Sequence, residues 1–77
     1  MNAISAQDIQ VGDYIRRKID GTIGKLEKVL SIHARGIDVN GQPYVCGYSD
    51  YFECNGETGS MSFSMSGAGD DFCESYR

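Results

Sequence analysis

The sequence has one histidine, His33, and three cysteines, Cys46, Cys54 and Cys73. A structural zinc site needs four such ligands, and its recognisable motifs set them in two close pairs. The intervals here are 13, 8 and 19 residues, and no C-x-x-C occurs. No metal is expected, and cysteines on strands are read as small buried hydrophobes. An odd number of cysteines also argues for thiols in a reducing compartment rather than a disulfide framework, with a Cys54–Cys73 pair left open. Catalysis fares no better. No Gly-x-Ser-x-Gly elbow, paired-carboxylate motif or glycine-rich phosphate loop accompanies the histidine, so neither an enzyme nor a cofactor is expected.

What remains is binding chemistry, and it comes in three sets. The first is basic: Arg16, Arg17, Lys18, Lys25, Lys28 and Arg35 stand against four acids in residues 1–37. Clustered cations release counterions from phosphates, so these six are the candidate nucleic-acid contacts. On an alternating strand Arg16 and Lys18 share a face while Arg17 points elsewhere, and Glu27 lies where it can neutralise part of the group across strands. The second set is aromatic: Tyr44, Tyr48, Tyr51 and Phe52, without a tryptophan. The third is acidic. Residues 38–77 carry Asp38, Asp50, Glu53, Glu57, Asp70, Asp71 and Glu74 against Arg77 alone. Aromatic anchors inside a charged rim suit a protein interface. The candidate protein-binding residues are therefore Tyr48, Asp50, Tyr51, Phe52, Glu53, Glu57, Asp70 and Asp71. The net charge of −4 argues against generic binding of nucleic acid.

These residues must be carried by short strands. Asp20-Gly21, Arg35-Gly36, Asn40-Gly41, Asn55-Gly56 and Gly67-Ala68-Gly69 punctuate the chain. Asn-Gly and Asp-Gly favour two-residue hairpin turns, whose central residues need positive φ. Between them, "DYIRRKI", "TIGKLEKVLSIH", "GIDVN", "PYVCGYSDYFEC" and "SMSFSMS" read as five strands of an all-β barrel or sandwich. In the last, Met61, Phe63 and Met65 share one face and serines the other. Val11, Ile15 and Ile19 share a parity interrupted by Asp13 and Arg17, which places the first strand proper after Asp13. Ile23 and Val29 differ in parity from Leu26, Leu30 and Ile32, so a bulge or bend is predicted near Gly24. Ile37 and Val39 are expected to point inward, and Pro43 suggests an edge strand. One helical turn is expected near Ser5 and Asp8.

The stretch from Val11 to Gly41 resembles the KOW motif and, more broadly, SH3-like barrels of the KOW/Tudor type. The matching residues are Gly12-Asp13, Ile15, Gly21, Gly24-Lys25-Leu26, Val29, Ile37-Asp38-Val39 and Gly41. The resemblance implies a small five-stranded SH3-like barrel over 11–66, with a lead-in over 1–10 and an added tail over 67–77. It also implies two uses. KOW-type loops contact RNA or DNA, which would employ the basic hairpin, and Tudor-type barrels hold methylated amines in aromatic cages.

In size, acidity and lack of catalytic motif the chain is also similar to small phage-type inhibitor proteins, which occupy a site on a host defence complex. The leading expectation is thus a non-enzymatic, cytoplasmic module that binds a protein partner. A KOW-like nucleic-acid domain is the alternative. No apolar run is long enough to span a membrane, and the first ten residues lack the basic and apolar regions of a secretory leader. A homodimer through an exposed strand edge is left open.

Overall fold

The computed structural model describes residues 2–19, 22–69 and 73–77, with the backbone alone at 19, 22, 23, 52–54 and 58. Among the described residues the chain is all-β. Six strands, β1 (Ala3–Ile4), β2 (Tyr14–Ile19), β3 (Thr22–Ile37), β4 (Pro43–Cys54), β5 (Glu57–Ser66) and β6 (Cys73–Tyr76), form one antiparallel sheet. Their order is β1-β6-β2-β3-β4-β5, and no ladder joins its two ends, so the sheet is not closed into a barrel.

The expected second and third strands are one. β3 pairs with β2 through Lys28 and with β4 from Val29 onward, so it serves both halves of the sheet. Its pairing register shifts between Arg16 and Lys18 of β2, where β3 carries one extra residue beside Gly24-Lys25. Two further shifts, between Val29 and Ser31 and between Ile32 and Ala34, each insert one residue into β3. Each bulge flips side-chain parity and adds twist. Val29 is thereby buried and Ile32 packs on the core, while Leu30 is turned out. The tail is the other departure: residues 73–76 are a strand hydrogen-bonded to both β1 and β2.

Three local expectations are corrected. Ile37 is 66% exposed and Val39 fully exposed, because the chain runs past the core into a five-residue loop rather than a two-residue turn. That loop wraps the Asp38 carboxylate, which accepts from the backbone N–H groups of Asn40 and Gln42 at 2.9 Å each. Pro43 opens β4, a strand flanked by β3 and β5, where a first residue needs no ladder donor. Val11, exposed, lies before β2 and outside the core. By contrast, Asn55 (φ 52°) and Gly56 (φ 80°) form the expected tight turn between Cys54 and Glu57.

The core is small: Ala6 and Ile9 from the N-terminal segment, then Ile15, Val29, Val45, Phe63, Met65 and Cys73 from five strands. The turn after Ser5 carries Ala6 and Ile9 onto the inner face, with the Ile9 amide donating to the Ser5 carbonyl at 3.2 Å. Arg35 fixes that turn, since its guanidinium donates to the carbonyls of Ala6 (2.9 Å), Gln7 (2.7 Å) and Ile9.

Just before β2 and on it, the residues that interrupt the apolar pattern, Asp13 and Arg17, also face inward, and each has a partner. Asp13 is buried and takes two hydrogen bonds from the Arg77 guanidinium, at 3.0 and 2.9 Å, and one from the Gln10 amide at 2.7 Å. These contacts, with the Asn2–Arg77 backbone pair, tie the C-terminal residue to the N-terminal segment. The Arg77 hydrogen bonds hold the Asp13 carboxyl below its ordinary pKa, against the opposing effect of burial. A lowered folded-state pKa stabilises the fold above the unfolded-state pKa, and that contribution is lost as pH falls through the folded value. D13N is therefore expected to be less stable than the native chain by about 1 kcal/mol near pH 7. Urea denaturation should show the difference vanishing in acid, below the usual carboxylate range; a pH-independent difference would contradict this role.

Candidate interaction surface

The six candidate cations do not form one patch. Arg17 points inward: its Nε sits 3.0 Å from both carboxylate oxygens of Glu27, which is 2% exposed. Ser49, fully buried, donates to the same carboxylate at 2.6 Å and accepts from Arg17 at 3.1 Å. The guanidinium also reaches the Met61 carbonyl at 3.3 Å and stacks over the Tyr51 ring at 5.3 Å. One side chain of β2 thus contacts β3, β4 and β5 across the interior. Lys18 pairs with Glu74 at 2.9 Å, Arg16 lies over the Tyr76 ring, and Arg35 holds the N-terminal turn. The side chains of Lys25 and Lys28 stand exposed. The acid partner Glu74 has its pKa lowered by the hydrogen bond from Tyr76 and by Lys18, and Tyr76 is raised in turn.

The aromatic and acidic set also divides. Tyr51 faces the interior cleft beside Arg17, a space of about 390 Å³ between β5 and the β2/β6 side of the sheet. Tyr48 lies on the opposite, outer face and is 43% exposed. Asp50, half-buried, accepts from the Lys28 backbone amide. Glu57 is exposed beside the Asn55-Gly56 turn. The side chains of Phe52 and Glu53, and all of Asp70 and Asp71, lie outside the described residues, as does the Cys54 side chain. Tyr48 and Tyr51 on opposite faces do not make a cage. Among the described residues no three His, Cys, Asp or Glu side chains converge on a metal position.

What the strands do assemble is a sheet face without charge. Pairing sets Tyr44, Cys46 and Tyr48 of β4 beside Ser66, Ser64 and Ser62 of β5, and beside Gly36, Ala34 and Ser31 of β3. Tyr48 is braced by His33, whose ring meets it edge-on at 4.6 Å between centroids and whose Nε2 lies 3.0 Å from the Ser31 hydroxyl. Tyr44 covers Gly36, where a Cβ would come within 3.0 Å of its ring. At Gly47, between these tyrosines, a Cβ would lie 2.0 Å from the Ser31 carbonyl oxygen, so the bulged β3 backbone can approach β4 only over a glycine. A shallow depression of about 140 Å³ adjoins Tyr48, with His33, Cys46 and Ser62 at its margin.

Sequence reasoning singled out Tyr48 but not the residues that frame it. In the sequence His33 reads as a candidate for metal binding or catalysis, and the serine row as a bare strand face that the tail covers or a second chain docks on; neither reading connects them to Tyr48. The signal was present, since no charged residue occurs from Val39 to Ser49 or from Thr58 to Gly69. No protein-family model, curated protein or solved structure matches the chain.

Removing one partner of a buried ion pair leaves the other charge uncompensated. R17A is expected to cost about 3 kcal/mol or more, and R17M/E27L to recover most of that loss, because well-packed apolar replacements avoid the desolvation cost. Chemical denaturation of the three proteins checks both. Equal destabilisation by the single and the double variant would show that the pair is not the source.

Proposed function

We propose that the chain is a non-enzymatic protein-binding module, an SH3-like domain in a broad sense, that docks its partner on the uncharged β3–β4–β5 face. The observation that carries this reading is Tyr48: an exposed aromatic, braced by His33, on a face of uncharged residues. Aromatic anchors that are rigid before binding lose little entropy on contact, and charge depletion is the mark of an interface core. Asp50 and Glu57 give the adjoining end an acidic rim, and the net charge of −4 suits a partner with a basic site. Occupying a groove that otherwise takes nucleic acid is one way such a module inhibits, as small phage-type inhibitors do.

The placement of the cations supports this reading over a KOW-like nucleic-acid domain. Arg17 serves the interior, Arg35 is engaged by the carbonyls of the N-terminal turn and Lys18 is paired, which reduces the cationic surface open to phosphates.

Affinity capture from a lysate of the source organism, with native and Y48A baits in parallel, tests the proposal. A protein retained by the native chain and weakened about 30-fold or more by Y48A is expected, the scale of a central aromatic hot spot. A partner set identical for both baits, or retention of nucleic acid alone at low salt, would overturn it.

A further inference from the structure

β5 is the last strand of the sheet, with β4 as its one neighbouring strand among the described residues. Natural sheets protect such edges with lysine, proline, a bulge on the edge strand or a covering segment. From Thr58 to Ser66 there is no charged residue and no proline, and the irregularity near this edge inserts its extra residue in β4 rather than β5. The stretch Ser60–Ser66, SMSFSMS, is also a palindrome about Phe63.

Palindromy has a physical meaning on an edge. When two identical strands pair antiparallel about a two-fold axis through one residue, positions equally far from that residue stand opposite each other. We propose that the β5 edge pairs with a second copy of this chain, antiparallel and centred on Phe63. Phe63 then faces Phe63 of the second copy, Met61 faces Met65, and Ser62 faces Ser64. Every opposed pair is like with like, the matched side chains lie on the same face of the joined sheet, and no charges oppose each other. Met61, 42% exposed in the single chain, gains an apolar neighbour. A slip of one residue sets serine against methionine or phenylalanine, and a slip to a centre at Ser62 or Ser64 shortens the matched stretch, so the centred register alone opposes all of Ser60–Ser66 like with like. The two Tyr48 side chains come to lie on one continuous outer face, roughly 15 Å apart from strand spacing and residue rise. The pairing goes beyond the binding function proposed above and does not depend on it.

Sedimentation equilibrium of the full chain from about 1 µM to about 1 mM reads the association directly, the range that a small edge contact calls for. A monomer–dimer equilibrium is expected for the native chain. In the centred register S62K/S64K sets introduced lysines opposite one another twice, and should raise the dissociation constant about tenfold or more. S62K/S64E sets each introduced lysine opposite an introduced glutamate and should associate at least as tightly as the native chain. Both serines are exposed, so circular dichroism should show either variant folded. A native chain that stays monomeric to about 1 mM overturns the proposal. So do two double variants with equal dissociation constants, whether tight or weak, because the contact would then lie in another register or on another surface.

Discussion

The ion pair between Arg17 and Glu27 is the contact on which the rest of the fold hangs. Among the described residues, backbone ladders run from β1 round to β5 and stop, and none joins β5 to β2 or β6. Arg17 adds a polar tie to the packing of Phe63 and Met65 in one core with Ile15 and Cys73, holding Glu27 on β3, Ser49 on β4 and the Met61 carbonyl on β5 at once. A buried charge is costly unless it is paired and its remaining hydrogen-bonding capacity is filled, and here Ser49 and the Met61 carbonyl do the filling. A chain of 77 residues has few apolar side chains with which to make the same connection by packing. Asp13 and Arg77 act likewise at the terminal end, drawing the last residue onto the turn that plugs the inner face.

Putting charges inside has a consequence outside. Arg17 is spent on the interior and Arg35 on the N-terminal turn, and the outer row of Tyr44, Cys46 and Tyr48, with the β3 and β5 residues paired to it, carries no charged side chain. The aromatics divide along the same line. Tyr51 turns in, where its ring lies under the Arg17 guanidinium, while Tyr48 turns out and is steadied by His33. Three residues apart on β4, the two tyrosines fall on opposite faces by simple alternation. Binding capacity is thereby concentrated on one neutral face beside one bare strand edge.

Local signals in the sequence were legible where the physics is local. The Asn55-Gly56 turn, the alternation of Ser60–Ser66, the bulge beside Gly24 and the single turn after Ser5 all follow from backbone preference or residue parity. The neutralising role of Glu27 was legible too, because its partner lies across one short hairpin. Features that depend on distant partners were not. Arg17 reads as one of a basic run until Ser49 and Met61 are brought to it, and Asp13 reads as an interruption until Arg77 returns. The tail strand Cys73–Tyr76 is four mostly polar residues, too short to declare itself without β1 and β2 on either side. Ile37 and Val39 look like a core pair because alternation says which side a residue faces, not whether the core extends that far.

The Arg17 bridge holds β5 and its neutral face against the rest of the sheet. Native-state hydrogen exchange of the full chain, compared between the native protein and R17M, tests it residue by residue. Amides of residues 61–65 are expected to lose protection by about tenfold or more, while those of residues 14–16 and 73–76, held by backbone ladders on both sides of β6, change far less. A loss of protection spread evenly over all six strands, or confined to β2 and β6, would contradict it.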